Sequence, residues 1–329
     1  MRLRRPLALL STVAAATLIL AGCAGSPDAG STPTPTKSSS TCVLDTQAGA
    51  TSDSVKVDGS GLDAKVTVPK DAKFADVERT VVKKGDGKDI TPTDFISVRY
   101  QLIQADTGAV LDTSKRGPEG VLPVLLNPNT PQQMYDMTMS PIFLIATECM
   151  PIGSEAVLAL PGDKLGENQP SVVLYVQTLE KLPTVATGKD VDPPAGMAAV
   201  KLDKDGAPTI TIPKTDPPTE TKIGQLKQGD GATVTANDLV TVQYRGVKWS
   251  DGKEFDSTWS RDAYPSQFPA TGVVKGFQQA LIGQKVGSQV LAEIPPKDGY
   301  GAADDSNELK KETLVFVVDI LGTTPVEKQ

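Results

Sequence analysis

Apolar and polar residues alternate along several short stretches of this chain. Val66-Thr-Val68, Thr80-Val-Val82 and Ile96-Ser-Val-Arg-Tyr100 do so in the first half, and Val240-Thr-Val-Gln-Tyr244 in the second. A period of two marks strands with one buried face, and turn residues such as Asp251-Gly252 mark the connections between them. Thr313-Leu-Val-Phe-Val-Val-Asp-Ile320 is a mostly apolar run and is read as the final strand. One short segment carries helical spacing: Phe277, Ala280 and Leu281 fall at i, i+3 and i+4, and Gly283 is a natural stop. The expected fold is α+β, a curved antiparallel sheet with one short helix laid on it.

The pattern occurs twice. Ser54-Val-Lys-Val-Asp58 and Lys65-Val-Thr-Val-Pro-Lys70 precede Val82-Lys-Lys-Gly-Asp-Gly87. Val200-Lys-Leu-Asp203 and Pro208-Thr-Ile-Thr-Ile-Pro-Lys214 precede Leu226-Lys-Gln-Gly-Asp-Gly231. Pro69 and Pro213, Gly85 and Gly229, Tyr100 and Tyr244, and Asp112 and Asp256 all differ by 144 positions. Two copies of one fold account for the shared offset, each led in by an extra strand pair. A copy of about 100 to 145 residues is long enough to bury its own core. The expected domains are 50–182 and 197–325, joined by a Pro-rich linker at 183–196.

Composition adds an address. Arg2, Arg4 and Arg5 precede an apolar run, Leu7 to Ala21, which suits a signal segment and is short for a membrane span. It ends in Leu20-Ala-Gly-Cys23, which resembles a bacterial lipobox. That implies a signal peptide at 1–22, acylation of Cys23 and a lipid-anchored protein at the outer face of the cell membrane. An ordinary signal peptide with an incidental cysteine is the alternative. Residues 23–49, rich in Ser, Thr and Pro, read as a tether. Removing three arginines from 33 basic residues leaves 30 against 40 acidic ones, a charge of −10, which argues against nucleic acid as a partner. Cys42 and Cys149 remain, as a disulfide in an oxidising setting or as two thiols.

The chain has no histidine, which excludes Ser-His-Asp and Cys-His catalysis and any His-ligated metal from within it. Tyr244, Phe255, Asp256, Val274, Phe277 and Tyr300 come from different expected elements. Brought together, they form an apolar cup with one carboxylate and two phenols, free of nucleophile, metal site or cofactor. Such a cup suits an uncharged ring. Asp203-Lys-Asp-Gly206 hints at a calcium loop, but Lys214 occupies the place of its last acid, so a plain turn is expected.

The second copy resembles the FKBP-type peptidyl-prolyl isomerases, the macrolide-binding immunophilins. The resemblance rests on Val-Gln-Tyr244, Gly252-Lys-Glu-Phe-Asp-Ser257, Val273-Val-Lys-Gly-Phe277, Val286-Gly287, Gly299-Tyr-Gly301 and Leu314-Val-Phe316, across about residues 222 to 322. It implies catalysis by Tyr244, Phe255, Asp256, Phe277 and Tyr300. Phe277 would be the floor under a prolyl ring, with Phe268, Val273, Val274 and Leu309 on the substrate side. The implied partners are proline-containing polypeptides and macrolides. The family usually has Trp where Phe277 stands. The first copy keeps Tyr100 and Asp112, with Phe143 as a candidate floor, but has Leu111 for Phe255 and Leu165 for Tyr300. Its cup is expected to be open, wet and weak or inactive. A peptide-holding chaperone or assembly factor with little turnover is the alternative to an isomerase that folds exported proteins.

Overall fold

The computed structural model describes residues 46–129, 139–261 and 263–326. The expected signal peptide, Cys23, Cys42 and most of the tether lie outside them. The folded body has begun by Gln47, whose carbonyl accepts the Arg79 N–H at 2.8 Å. Cys149 is disulfide-bonded.

The first copy opens with α1 (Ala50–Ser54) and the hairpin β1 (Lys56–Asp58) and β2 (Lys65–Thr67). It continues through β3 (Glu78–Lys83), β4 (Phe95–Gln104), β5 (Val110–Thr113), β6 (Leu122–Leu125), α2 (Ser140–Thr147), β7 (Glu155–Leu160) and β8 (Val172–Lys181). After β9 (Lys189–Asp190) the second copy repeats the series. It has the hairpin β10 (Ala199–Leu202) and β11 (Pro208–Thr211), then β12 (Lys222–Gln228), β13 (Asp238–Lys248), β14 (Glu254–Ser257), β15 (Ser266–Pro269), α3 (Lys275–Leu281), β16 (Gln289–Ile294) and β17 (Leu314–Pro325).

Both sheets have one strand order. The first runs β3-β7-β8-β4-β5, with β6 also on β4. The second runs β14-β13-β17-β16-β12-β9, with β15 also on β13. All of these pairings are antiparallel.

Alternation along the central strands explains the layers. Val240, Val242 and Tyr244 point to the helix side of the second sheet, and with Val290, Ala292, Ile294, Phe316 and Val318 they bury Phe277, Ala280 and Leu281. The intervening Leu291, Val315 and Val317 face outwards, where water would meet a continuous apolar surface. The hairpin β10–β11 covers them through Ala198, Val200 and Ile210. In the first copy, β1–β2 covers Val157, Val173 and Tyr175 with Val57, Ala64 and Val66. Each fully buried Val or Leu is worth roughly 1.5–3 kcal/mol, which is the reason for the extra strand pairs. Polar bonds fix them in place: Gly61 N–H donates to the Tyr175 hydroxyl at 3.0 Å, and Ala198 N–H to Glu293 Oε1 at 2.8 Å. The turn of the second hairpin is made by Asp203, whose carboxylate accepts the Asp205 and Ala207 amides at 2.9 Å each.

The Pro-rich linker is structured. Its β9 extends the second sheet at β12, and Gly188 N–H donates to the Gly287 carbonyl at 2.9 Å. Ala186 N–H reaches Asp319 Oδ2 at 2.8 Å, and Gln289 Nε2 reaches Oδ1 at 2.7 Å. Burial pushes the Asp319 carboxyl up to about 6, against smaller opposing effects of those two donors and of the Lys227 charge. The folded chain therefore holds a proton in the window between the ordinary carboxylate range and about pH 6, where the unfolded chain has released it. Stability linked to Asp319 is fully present below that window and is lost as pH rises through about 6. Asp319→Asn should raise stability in urea unfolding at pH 8 by about 1–3 kcal/mol, with the gain vanishing towards pH 4.

Candidate functional site

The cup forms where β13, β14, β15, β17 and α3 meet. Val274 is the N-cap of α3, in extended conformation, so the helix begins at the rim and Phe277 hangs from its first turn. The helix lies tight on β16 because Gly276 has no side chain; a Cβ there would stand 2.3 Å from Ile294 Cγ2. Phe277 is 5% exposed. Its ring stands edge-on to Phe316 at 4.8 Å, to Tyr244 at 5.8 Å and to Phe268 at 6.0 Å between centroids. Phe255 completes the wall, edge-on to Phe316 at 5.4 Å. Edge-to-face geometry sets the positive edge of one ring against the negative face of the next.

These side chains enclose a cavity of about 420 Å³, lined also by Asp256, Gly272, Val273, Val274 and Tyr300. That is room for a small ring with its neighbours. Tyr244, Phe255, Asp256, Phe268, Val273, Val274, Phe277 and Tyr300 are thus brought together. Leu309 stands outside the lining, half-buried against the same core. Among the described residues no group of three or more Cys, Asp or Glu gathers to hold a metal.

One rim of the cup is a polar clamp. The Tyr244 hydroxyl donates to Asp256 Oδ2 at 2.5 Å. Arg261 donates to Asp256 Oδ1 and, at 3.0 Å, to the Tyr244 oxygen, with its guanidinium 5.8 Å above the Tyr244 ring. Burial, and after it the bond to Asp256, pushes the Tyr244 phenol up to about 12, so it stays a donor at neutral pH. Across the cup, the Tyr300 hydroxyl finds no hydrogen-bond partner among the described residues. The turn before Tyr300 is held by Asp298, which accepts from Lys275 Nζ at 2.8 Å and from Thr221 Oγ1 at 2.9 Å. Those bonds, led by Lys275, hold the Asp298 carboxyl below the usual range and tie Tyr300 to the start of α3. The Val274 N–H belongs to the first turn of α3, where amides lack intrahelical partners.

Three contributors were not assigned to the site from the sequence. Phe316 is one apolar residue in an apolar strand. Gly272 lies in the loop before the helix. Arg261 follows Asp256 by five positions in an irregular loop, so no helical or strand period couples them; the basic residue shortly after the acid was the available signal.

The first copy keeps the clamp and loses the cup. Tyr100 donates to Asp112 Oδ2 at 2.5 Å, Arg116 donates to Asp112 Oδ1, and its guanidinium stands 5.8 Å above the Tyr100 ring. Phe143 stacks edge-on to Tyr100 at 5.0 Å. Leu111 and Leu165 stand outside, 46% and 36% exposed. The structure departs from the expectation of an open, wet cup: among the described residues the cavity beside Tyr100 and Phe143 measures about 20 Å³. The space is closed by Leu122, Val124 and Met139 and by Leu239, Gln267 and Thr324 of the second copy.

Register explains the difference. Gly246 lies opposite Phe316, and Leu102, 144 positions earlier, lies opposite Leu174. A Cβ on Gly246 would meet Phe255 Cζ and Phe316 Cε1 at 2.7 Å each. Leu102 fills that space in the first copy, with no aromatic wall beside it. Gly246→Leu should therefore displace Phe255 and Phe316 and destabilise the chain by about 1–3 kcal/mol in urea unfolding. Gly246→Ala should do the same to a smaller extent.

The model of the FKBP-type peptidyl-prolyl cis-trans isomerase family matches residues 231–321, the stretch that builds the cup. A probable FK506-binding protein of Corynebacterium glutamicum is 37% identical over 115 residues, 35% of this chain and 97% of the relative. An FK506-binding protein of Streptomyces anulatus is 36% identical, over 35% of this chain and 95% of its own length. The peptidyl-prolyl cis-trans isomerase Mip of Coxiella burnetii is 36% identical over 30% of this chain and 42% of that protein. Matched to one relative over nearly its whole length, and to the family across every element of the cup, the chain belongs to the FKBP-type peptidyl-prolyl cis-trans isomerases.

Proposed function

We propose that the second copy catalyses cis/trans exchange of Xaa-Pro bonds in client polypeptides, and that exported proteins are those clients. The observation that carries this is a cup of about 420 Å³ lined by five aromatic rings and Tyr300, without a nucleophile among them. Rotation about an Xaa-Pro bond breaks amide resonance, and the barrier is roughly 18–20 kcal/mol although the two end states differ little. No covalent step is required. The catalyst must bind the twisted amide better than the planar one.

The cup offers two means. The twisted amide has a less polar carbonyl, which loses less on leaving water, and Phe277, Phe255, Phe268 and Phe316 provide the dry surface. The Tyr300 hydroxyl and the Val274 N–H are donors for the carbonyls that flank the proline. Asp256 is engaged by Tyr244 and Arg261, so its charge is held at the rim rather than inside. A rate gain of about 10³ to 10⁴ asks for about 4–5.5 kcal/mol of differential binding, within reach of such contacts. Macrolides that carry a ring of prolyl size would compete for the same space, as the names of the relatives suggest.

The first copy takes no part in catalysis in this reading, because about 20 Å³ admits no prolyl ring. The sequence before the folded body supports a lipid anchor at Cys23, holding the chain at the outer face of the cell membrane.

Following cis/trans isomerisation of a proline peptide tests the activity. The full chain should accelerate it, and a rate equal to that without protein would reject the proposal. Tyr300→Leu and Asp256→Ala should each lower kcat/KM, by about tenfold or more for Tyr300, with the circular dichroism spectrum kept. Cys23→Ser should move the protein from the membrane fraction to the soluble exported fraction. Retention on the membrane would reject the anchor and leave the isomerase untouched.

A further inference from the structure

The two rim arginines sit alike, but the loops that follow them end differently. In the first copy the chain turns back on itself, with Gly117 N–H on the Ser114 carbonyl and Gly120 N–H on the Gly117 carbonyl, each at 3.0 Å. In the second copy Tyr264, three positions after Arg261, reaches outside its own domain. The Tyr264 hydroxyl donates to the Leu126 carbonyl of the first domain. Its ring joins a cluster of Phe95, Leu125 and Leu182 with Leu321 of the second domain. Burial there pushes the Tyr264 phenol well above its ordinary value.

Described residues on this loop are tied down at Thr258 and Ala263. Ala263 takes φ +52°, a left-handed conformation that residues other than glycine seldom adopt. Such a conformation persists where the surroundings over-determine it. Gln243, beside Tyr244 on β13, donates to the Ala263 carbonyl at 3.0 Å. Thr258 N–H donates to the Tyr244 carbonyl at 2.9 Å, and Thr258 Oγ1 accepts the Tyr244 N–H at 2.9 Å. Arg261 is thus carried on a loop with one end tied to the strand bearing Tyr244 and the other tied to the first domain. Its own side chain is 55% exposed, so its hold on Asp256 depends on where the loop places it.

We infer that Tyr264 is a positioning residue: docked on the first domain, it holds the loop so that Arg261 stays on Asp256 and Tyr244. The first domain, whose own cup is closed, then supports catalysis in the second without touching substrate. This rests on the proposal that isomerisation runs in the second cup.

The test uses the full chain carrying Tyr264→Phe, Tyr264→Ala, Arg261→Ala and the Tyr264→Ala/Arg261→Ala pair. The measurement is kcat/KM for a proline peptide. Tyr264→Ala should lower it by about tenfold, inside the range that a displaced positioning group costs, and Tyr264→Phe by less. In the Arg261→Ala background, Tyr264→Ala should cost nothing further, because both act through one contact. Losses that multiply in the pair, or single Tyr264 variants with wild-type kcat/KM, would overturn the inference while leaving the isomerase intact. A wild-type chain no faster than the uncatalysed reaction would remove both. Should Tyr264→Ala fail to fold, Tyr264→Phe, which keeps the ring and loses only the donor, decides: a lowered kcat/KM that is absent in the Arg261→Ala background supports the role, and an unchanged one overturns it.

Discussion

The cup exists because one position of its central strand has no side chain. Gly246 leaves the space in which Phe255 and Phe316 meet edge to face, with centroids 5.4 Å apart. Phe316 in turn holds Phe277 at 4.8 Å, and Phe277 is the floor. A chain of three rings therefore hangs from the absence of one Cβ. Interiors pack near crystal density, so an atom added at that point cannot be absorbed by slack. The opposite wall is independent of it: Tyr300 is placed by the Asp298 bonds to Lys275 and Thr221, and Val274 by the start of the helix. One side of the cup is built by apolar exclusion and the other by charge-assisted bonds.

The division helps explain what duplication kept and lost. The clamp of tyrosine, aspartate and arginine is local to one hairpin and needs only three side chains, and it survives in both copies. The aromatic walls need agreement among strands far apart in sequence. Leu102 opposite Leu174 is a good core pair, and once it is present a ring at Leu111 has nothing to lie on. Leu111 and Leu165 are accordingly left towards solvent, and the remaining space is taken up by ordinary aliphatic packing.

Much of this was legible in the sequence because strand alternation and the 144-residue offset are local signals. They gave the repeated α+β fold and the hairpins ahead of each copy, and the resemblance to the isomerase family supplied eight of the residues that line the cup. What was not legible depends on register and on contacts between domains. Phe316 closes the Leu314-Val-Phe316 motif, but its place in the wall shows only in its pairing with Gly246. Arg261 follows Asp256 by five positions in an irregular loop, so their bond shows only in the structure. The linker, proline-rich and thus read as a spacer, is tied down because its amides find Asp319 and Gly287 on the second sheet. The first cup was expected to be open because Leu111 and Leu165 stand in place of Phe255 and Tyr300; that Leu239, Gln267 and Thr324 of the other copy line the small space there depends on contacts between domains.

The contact between domains gives a closed cup a reason to be retained. An isolated second domain would leave Leu321 and the Tyr264 ring against water, together with the ends of β13 and β17. With the first domain in place, Phe95 and Leu125 cover them, together with Leu182, whose N–H donates to the Phe95 carbonyl of the same domain at 2.7 Å. The surface through which the first domain lost its peptide-sized cavity is therefore the surface that receives its neighbour. Leu122 to Leu125 form the strand that pairs with β4 on one side and meets Leu239, Gln267 and Thr324 on the other. A strand that must satisfy a neighbouring domain cannot also flank a solvent-open cup. In the first copy this edge seats the second domain; in the second copy the corresponding strand, β15, carries Phe268 into the lining of the cup.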